Sequence, residues 1–214
     1  MGNPLSGYDA DVWMAANPSV ALGAPEAAGN TDSGAWILYK ANTHWAWDKR
    51  VPIVVQTAPT VGGTYTTATD YVFQYAGGVI VFNTARTSGV NNFVRIQTGN
   101  FFNLTQLDDA HTWALSLKAT AVDNTRFQTP GGWATRTATT KEGSGKIDTF
   151  RSDGRVTAEL GAIVALQLYA SKTLNYRWEA LGWVTGVDPK GDVKGVEEQA
   201  MSFDVEADCY FRTV

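Results

Sequence analysis

The residues able to do chemistry are few: two histidines and one cysteine among 214 residues. Proton transfer and nucleophilic attack need such groups to converge with perturbed proton affinity. His44 lies in Asn42-Thr-His-Trp-Ala-Trp47, which reads either as a ligand-contacting aromatic loop or as a structural histidine packed beside tryptophan. His111 follows Asp108-Asp109-Ala110, a cluster able to ligate a metal or relay a proton, and at the head of a strand more simply a turn. Cys209 has no second cysteine for a disulfide and no zinc-ligand spacing; alternating with apolar neighbours, it reads as a core thiol. Asp204, Glu206 and Asp208 lack the central glycine and closing glutamate of a calcium loop. No Gly-x-Ser-x-Gly elbow, phosphate-cradling loop or His-Glu-x-x-His occurs. The expectation is a non-enzyme with no cofactor and no metal, with paired carboxylates for glycoside hydrolysis left open because their separation is spatial.

The eight tryptophans offer binding rather than catalysis. Trp113, Trp178 and Trp183 lie in strand patterns and are assigned to core or sheet surface. Trp45, Trp47 and Trp133 sit in or near loops, where an indole serves a subunit interface or stacks on a sugar face.

Charge is unevenly placed. The net charge of −4 lies wholly in residues 192–214, which hold six acids and two bases, while residues 1–191 hold fifteen of each. Affinity for nucleic acid driven by phosphate neutralisation is thereby disfavoured, since it needs Lys and Arg to displace counterions. No apolar run reaches the ~18 residues of a membrane span, and the first residues lack the basic region and apolar core of a signal peptide, so a soluble, cytoplasmically made chain with no membrane partner is expected.

These side chains must be positioned by β-structure. The 25 threonines, with frequent Val, Tyr, Phe and Trp, favour pleated strands. Residues 1–34, rich in Ala, Gly, Asn and Pro, read as an extended N-terminal arm, and residues 35–214 as one β domain. Strands are expected at 36–40, 53–56, 71–74, 79–82 and 93–98, with a hairpin from Asp70 to Phe82 turning at Gly77-Gly78. His111 to Val122 alternates as a strand with one wet face, residues 123–148 read as a long polar loop, and a short helix is placed at 151–160. Strong strands follow at 163–169, 175–187 and 196–211. In the last, Met201, Phe203, Val205, Ala207, Cys209 and Phe211 face one way, and Ser202, Asp204, Glu206, Asp208 and Tyr210 the other. The fold class is mainly β, closing as a sandwich or barrel with one short helix.

Three stretches carry a resemblance. Val51-Pro-Ile-Val-Val-Gln-Thr57 leads into Thr69-Asp-Tyr-Val-Phe-Gln-Tyr75 and Gly78-Val-Ile-Val-Phe82. Trp113-Ala-Leu-Ser-Leu117 precedes Val122-Asp-Asn-Thr-Arg-Phe127 and Gly132-Trp133. Val164-Ala-Leu-Gln-Leu-Tyr169, Tyr176-Arg-Trp-Glu-Ala180 and Gly182-Trp-Val-Thr-Gly-Val187 are followed by a strand ending Gln199-Ala-Met-Ser-Phe203. This order resembles that of the siphophage major tail proteins, the tail tube family. The resemblance implies a β-sandwich subunit forming hexameric rings that stack into a hollow tube. Its partners would be other copies of itself, further tail proteins such as a tape-measure protein, and double-stranded DNA passing without specific binding. Its place would be the virion tail, assembled in the host cytoplasm.

Within that frame Asp204, Glu206 and Asp208 are expected to face the lumen, with Glu197 and Glu198 near it, because carboxylates repel phosphate where a basic lining would bind it. Trp45, Trp47 and Trp133 are then interface aromatics. The other reading is a carbohydrate-binding β-sandwich module of a phage fibre or secreted enzyme that uses the same three indoles.

Overall fold

Hydrogen bonding decides where the chain's short apolar segments go. A computed structural model describes residues 10–15, 18–32, 35, 37–60, 62–86, 93–107, 110–123, 136–150, 155–191 and 197–213. In chain order the elements are β1 (Asp11–Ala15), β2 (Val20–Ala21), β3 (Glu26–Asn30), β4 (Leu38–Ala41), β5 (Val54–Ala58), β6 (Thr66–Thr67), β7 (Tyr71–Gln74) and β8 (Val79–Phe82). There follow β9 (Phe93–Thr98), β10 (Asn100–Phe101), β11 (Thr105–Gln106), β12 (Ala110–Asp123), β13 (Arg136–Phe150), α1 (Arg155–Ala158), β14 (Ile163–Ser171), β15 (Tyr176–Lys190) and β16 (Glu198–Arg212). The protein is mainly β, as its threonine content and alternation lead one to expect.

The strands form two seven-stranded antiparallel sheets, ordered β11-β1-β14-β15-β16-β13-β12 and β6-β5-β9-β3-β4-β8-β7, with β2 and β10 paired between them. The first sheet curls into a half-barrel. Its edge strand β12 returns toward the far side, where Trp113 Nε1 donates to the carbonyl of Tyr169 on β14 at 3.1 Å. Alternate residues fill the half-barrel: Val12 and Met14 from β1, Val164, Leu166 and Leu168 from β14, Met201 and Phe203 from β16. Val156 of α1 plugs it. Each of these side chains contributes roughly 1.5–3 kcal/mol by leaving water.

The second sheet packs Tyr39, Trp47, Val55, Phe73, Ile80, Phe82 and Ile96 into its own core. A seam cluster, including Ala46, Ala76 and Phe102 against Ile163, Ala165 and Leu181, joins the sheets through the outer face of β14 and β15. Strand β14 is thus covered on both faces, which accounts for its unbroken apolar run from Ile163 to Leu166.

Several expectations are corrected. The segment read as an arm supplies β1 to the half-barrel and β3 to the second sheet, and Val12, Met14 and Ala15 are buried. Averaging composition over 34 residues hid a five-residue alternation that takes its hydrogen bonds from β14. The segment 123–148, read as a loop, contains β13 from Arg136 onward. Its glycines are strand residues because neighbours occupy the space of a side chain: a Cβ at Gly145 would stand 2.7 Å from the carbonyl oxygen of Ala114 and overlap the Phe203 ring. Of the helix expected at 151–160, residues 151–154 lie outside the described residues, and among the rest Arg155–Ala158 is helical. The hairpin from Asp70 to Phe82 forms as expected, with Gln74 opposite Val79 and a four-residue turn containing Gly78 at φ +62°.

Candidate functional site

Strand β16, held between β15 and β13 in the half-barrel sheet, carries the acidic segment. From Glu198 to Val205 it runs in unbroken register with β13, so Met201 and Phe203 point inward while Glu198, Ser202 and Asp204 lie on the outer face. Between Val205 and Cys209 it gains two residues over β15, where Val205 opposes Gly182 and Cys209 opposes Ala180. An even insertion preserves the facing pattern read from the alternation.

Asp204, Glu197 and Glu198 are exposed. Glu206 is also exposed and pairs with Lys49 (Nζ to Oε1 2.6 Å) from the β4–β5 connection. The side chain of Asp208 lies outside the described residues. Glu198 and Asp204 are separated by about 20 Å along the strand at ~3.4 Å per residue. Neighbouring strands moderate the negative charge: Lys146 stands beside Ser202, and Lys118 lies with Asp204 around a shallow groove. The carboxylates are evident along the sequence, whereas the lysines come beside them only through strand pairing.

Beside β16 stands a ribbon. Strand β13 is joined to β16 only from Gly143 to Phe150, and beyond Gly143 it pairs with β12 alone, from Lys118↔Glu142 to Asp123↔Arg136. This part runs for about 20 Å without pairing to β16, and Leu117, Lys118, Lys141 and Glu142 line a groove with Val205, Glu206, Cys209 and Tyr210 of β16. Residues 116–120 are all exposed, with Leu117 at 47%. Strand β12 is also a sheet edge, its other side carrying no strand among the described residues. A two-stranded ribbon without a third strand or a covered apolar face is only marginally stable by itself.

The three loop indoles separate. Trp47 is 0% exposed, its Nε1 donating to the carbonyl of His44 at 2.8 Å, and it packs edge-on against Phe73 and Phe101. It is a core residue, contrary to the expected interface role. Its burial depends on chain segments remote in sequence: a Cβ at Gly99 would lie 3.1 Å from the indole. Trp45 is 37% exposed, with the Lys40 ammonium 4.6 Å from its ring centroid. Burial lowers the pKa of Lys40, and the Glu179 carboxylate opposes that shift. Trp133 lies outside the described residues.

Glu26 of β3 fixes the backbone preceding Trp45. Its Oε1 accepts from the N–H groups of Thr43 (2.5 Å) and His44 (2.8 Å), and its Oε2 meets His44 Nδ1. The His44 ring lies against Phe101, the structural role its tryptophan neighbours suggested. His111 stacks on Phe150, while Asp108 and Asp109 lie outside the described residues. Cys209 is half-buried, and burial pushes its thiol up to about 11. Among the described residues no three His, Cys, Asp or Glu side chains group to hold a metal, and no helix is long and apolar enough to cross a membrane.

No protein-family model and no curated protein sequence matches the chain. The solved structures to which part of the chain is similar include two from one kind of particle. One is a chain of the "Virion of native gene transfer agent (GTA) particle", with a TM-score of 0.44 and 15% identity over 51% of this chain and 88% of that one. The other is a chain of the "Tail of empty GTA particle computed with helical refinement, C6 symmetry", with a TM-score of 0.42 and 14% identity over 51% of this chain and 86% of that one.

Proposed function

We propose that this chain is a structural virion protein, the subunit of a phage-type tail tube built from copies of itself. The observation that carries this reading is the β12–β13 ribbon, whose far part leaves β16 and pairs only within itself, with residues 116–120 exposed and no described strand on the outer edge of β12. An open edge is an aggregation hazard in a free monomer, and a closed ring removes it by seating each edge on the next subunit. Hexameric rings stacked into a hollow tube satisfy that requirement with one repeated contact. The ribbon then gains its missing cover from a neighbour, and exposed Leu117 has apolar surface to bury there.

In this assembly the exposed carboxylates of β16, Glu198, Asp204 and Glu206 with Glu197 beside them, face the passage for double-stranded DNA. Repulsion between carboxylate and phosphate keeps the DNA moving, and the lysines alongside limit the field to a strip. Other tail proteins, such as a tape-measure protein, fill or cap the tube. The chain has a structural and no catalytic role, and its place is the virion tail, assembled in the host cytoplasm.

Electron microscopy and sedimentation of the concentrated full chain test the reading. Rings or tubes are expected, and Leu117→Lys should shift assembly to higher concentration. A chain that stays strictly monomeric at every concentration overturns the proposal. Asp204→Lys with Glu206→Lys should leave ring formation intact and slow DNA ejection; unchanged ejection removes the lumen assignment.

A further inference from the structure

A cavity of about 510 Å³ opens at the junction of the two sheets, backed by Phe102 and Leu104 of the seam cluster. Its walls include the rings of Trp13, Trp45 and Tyr169, and its polar lining includes Gln167, Asn103 and Thr43. Gln167 is 2% exposed. Its Oε1 accepts from the Tyr169 hydroxyl at 3.3 Å, while its buried Nε2 has no hydrogen-bond partner among the described residues. A buried N–H without an acceptor costs roughly 1–3 kcal/mol. Such a group at the wall of a cavity is explained when a ligand supplies the acceptor.

We infer that this cavity binds a neutral saccharide, with one pyranose ring on the exposed Trp45 indole and a sugar oxygen accepting from Gln167 Nε2. The chemistry of the lining selects this class. A pyranose presents weakly positive C–H faces, which the negative face of an aromatic ring attracts, and a rim of hydroxyls that both donate and accept. Asn103, Thr43 and Gln167 are neutral groups of the kind that match hydroxyls. Among the described lining residues there is no carboxylate, lysine or arginine; the lining imidazole of His44 is engaged by the Glu26 carboxylate, and Lys40 and Arg177 stand 4.6 and 5.5 Å from the Trp45 ring centroid without entering the lining. The volume falls within the ~300–1,000 Å³ of small-molecule sites. This inference stands apart from the proposed assembly and does not rest on it.

The test is a titration of the ¹⁵N-labelled full chain with the methyl glycosides of glucose, galactose, mannose, rhamnose and N-acetylglucosamine. N-acetyl-tyrosinamide and N-acetyl-prolinamide serve as mimics of a docking peptide. Saturable shifts of the Trp13 and Trp45 indole N–H signals are expected for at least one glycoside at millimolar concentration, with the Trp178 signal unmoved. Gln167→Met, which keeps the volume and removes the donor, should weaken binding about tenfold, the equivalent of one hydrogen bond. Trp45→Ala should abolish it, and if that variant does not fold, Gln167→Met carries the test. Absence of saturable shifts with all five glycosides, shifts indifferent to Gln167→Met, or tighter binding of the peptide mimics would each overturn the inference.

Discussion

Arg177 and Glu179, two residues apart on β15 and therefore on one face, form an ion pair of 2.8 Å with side chains 2% and 0% exposed. The second oxygen of Glu179 accepts from Arg212 Nε at 3.1 Å, and Arg212 Nη2 donates to Gln74 Oε1 of the other sheet at 2.5 Å. The network therefore spans the seam. Removing one member leaves an uncompensated buried charge, which costs about 3–5 kcal/mol. Glu179→Gln and Arg177→Met are each expected to destabilise by that order in urea unfolding. The double variant Arg177→Met with Glu179→Met should recover much of the loss, because the only charge it leaves without its carboxylate is Arg212, which is 26% exposed and keeps its hydrogen bond to Gln74. A double variant as unstable as the sum of the singles would show that the pair contributes through packing alone.

Close approach at Gly145 gives a second expectation. A methyl there would meet the Ala114 carbonyl oxygen at 2.7 Å and overlap the Phe203 ring, which fills the half-barrel. Gly145→Ala should cost about 1–3 kcal/mol through overpacking. Among the described residues nothing lies within 4 Å of a Cβ built at Gly191, so Gly191→Ala should stay within about 0.5 kcal/mol of the parent. The urea midpoints of the two variants decide it.

Acid stability should depend on Asp48, which is 2% exposed. Burial by itself would raise its pKa. Hydrogen bonds from the Arg50 side chain, the Ser19 hydroxyl (2.6 Å) and the Arg50 backbone N–H (3.0 Å) outweigh burial and hold it at about 2. The unfolded chain takes up this proton near pH 3.8 and the folded chain only near 2, so the contribution is complete above about pH 4 and is lost as pH falls between the two. At ~1.4 kcal/mol per pH unit the loss is about 2 kcal/mol. The parent should lose more stability than Asp48→Asn across that window, and parallel curves for the two would refute the assignment.

Sequence legibility followed locality. The β7–β8 hairpin and the run of β14 were readable because alternation, a glycine turn and an apolar block act within a dozen residues. The facing pattern of β16 was readable too, and it survived a bulge that no local signal announced. What stayed hidden depends on partners distant in the chain. Trp47 looked like a loop indole until Gly78 and Gly99 closed over it, and Arg177 and Glu179 carried no sign that they would leave water. The Gly- and Thr-rich segment before Phe150 read as loop because the value of its glycines lies in Phe203 and Val205, nearly sixty residues on. The same limit applied to the candidate site: the acidic residues were visible in sequence, whereas the flanking lysines and the donor of Gln167 appeared only once strands were paired.

Cys209 offers a probe of how tightly the bulged part of β16 is held. Its thiol stands beside Ala180 of β15, and burial raises its pKa from an ordinary 9.0 to about 11. The thiolate is the nucleophile, so at pH 8 the folded chain should react with iodoacetamide about a hundredfold more slowly than the chain in urea, from ionisation alone. Restricted access will slow it further. The linkage has a definite sign: between about pH 9 and 11 the unfolded thiol has lost its proton while the folded one retains it, so stability falls as pH rises through that window. Cys209→Ala removes the titrating group and should flatten that part of the pH profile relative to the parent. Equal alkylation rates in the folded and urea-unfolded chains would mean that β16 opens locally at the bulge, and the pH profiles of parent and variant should then coincide.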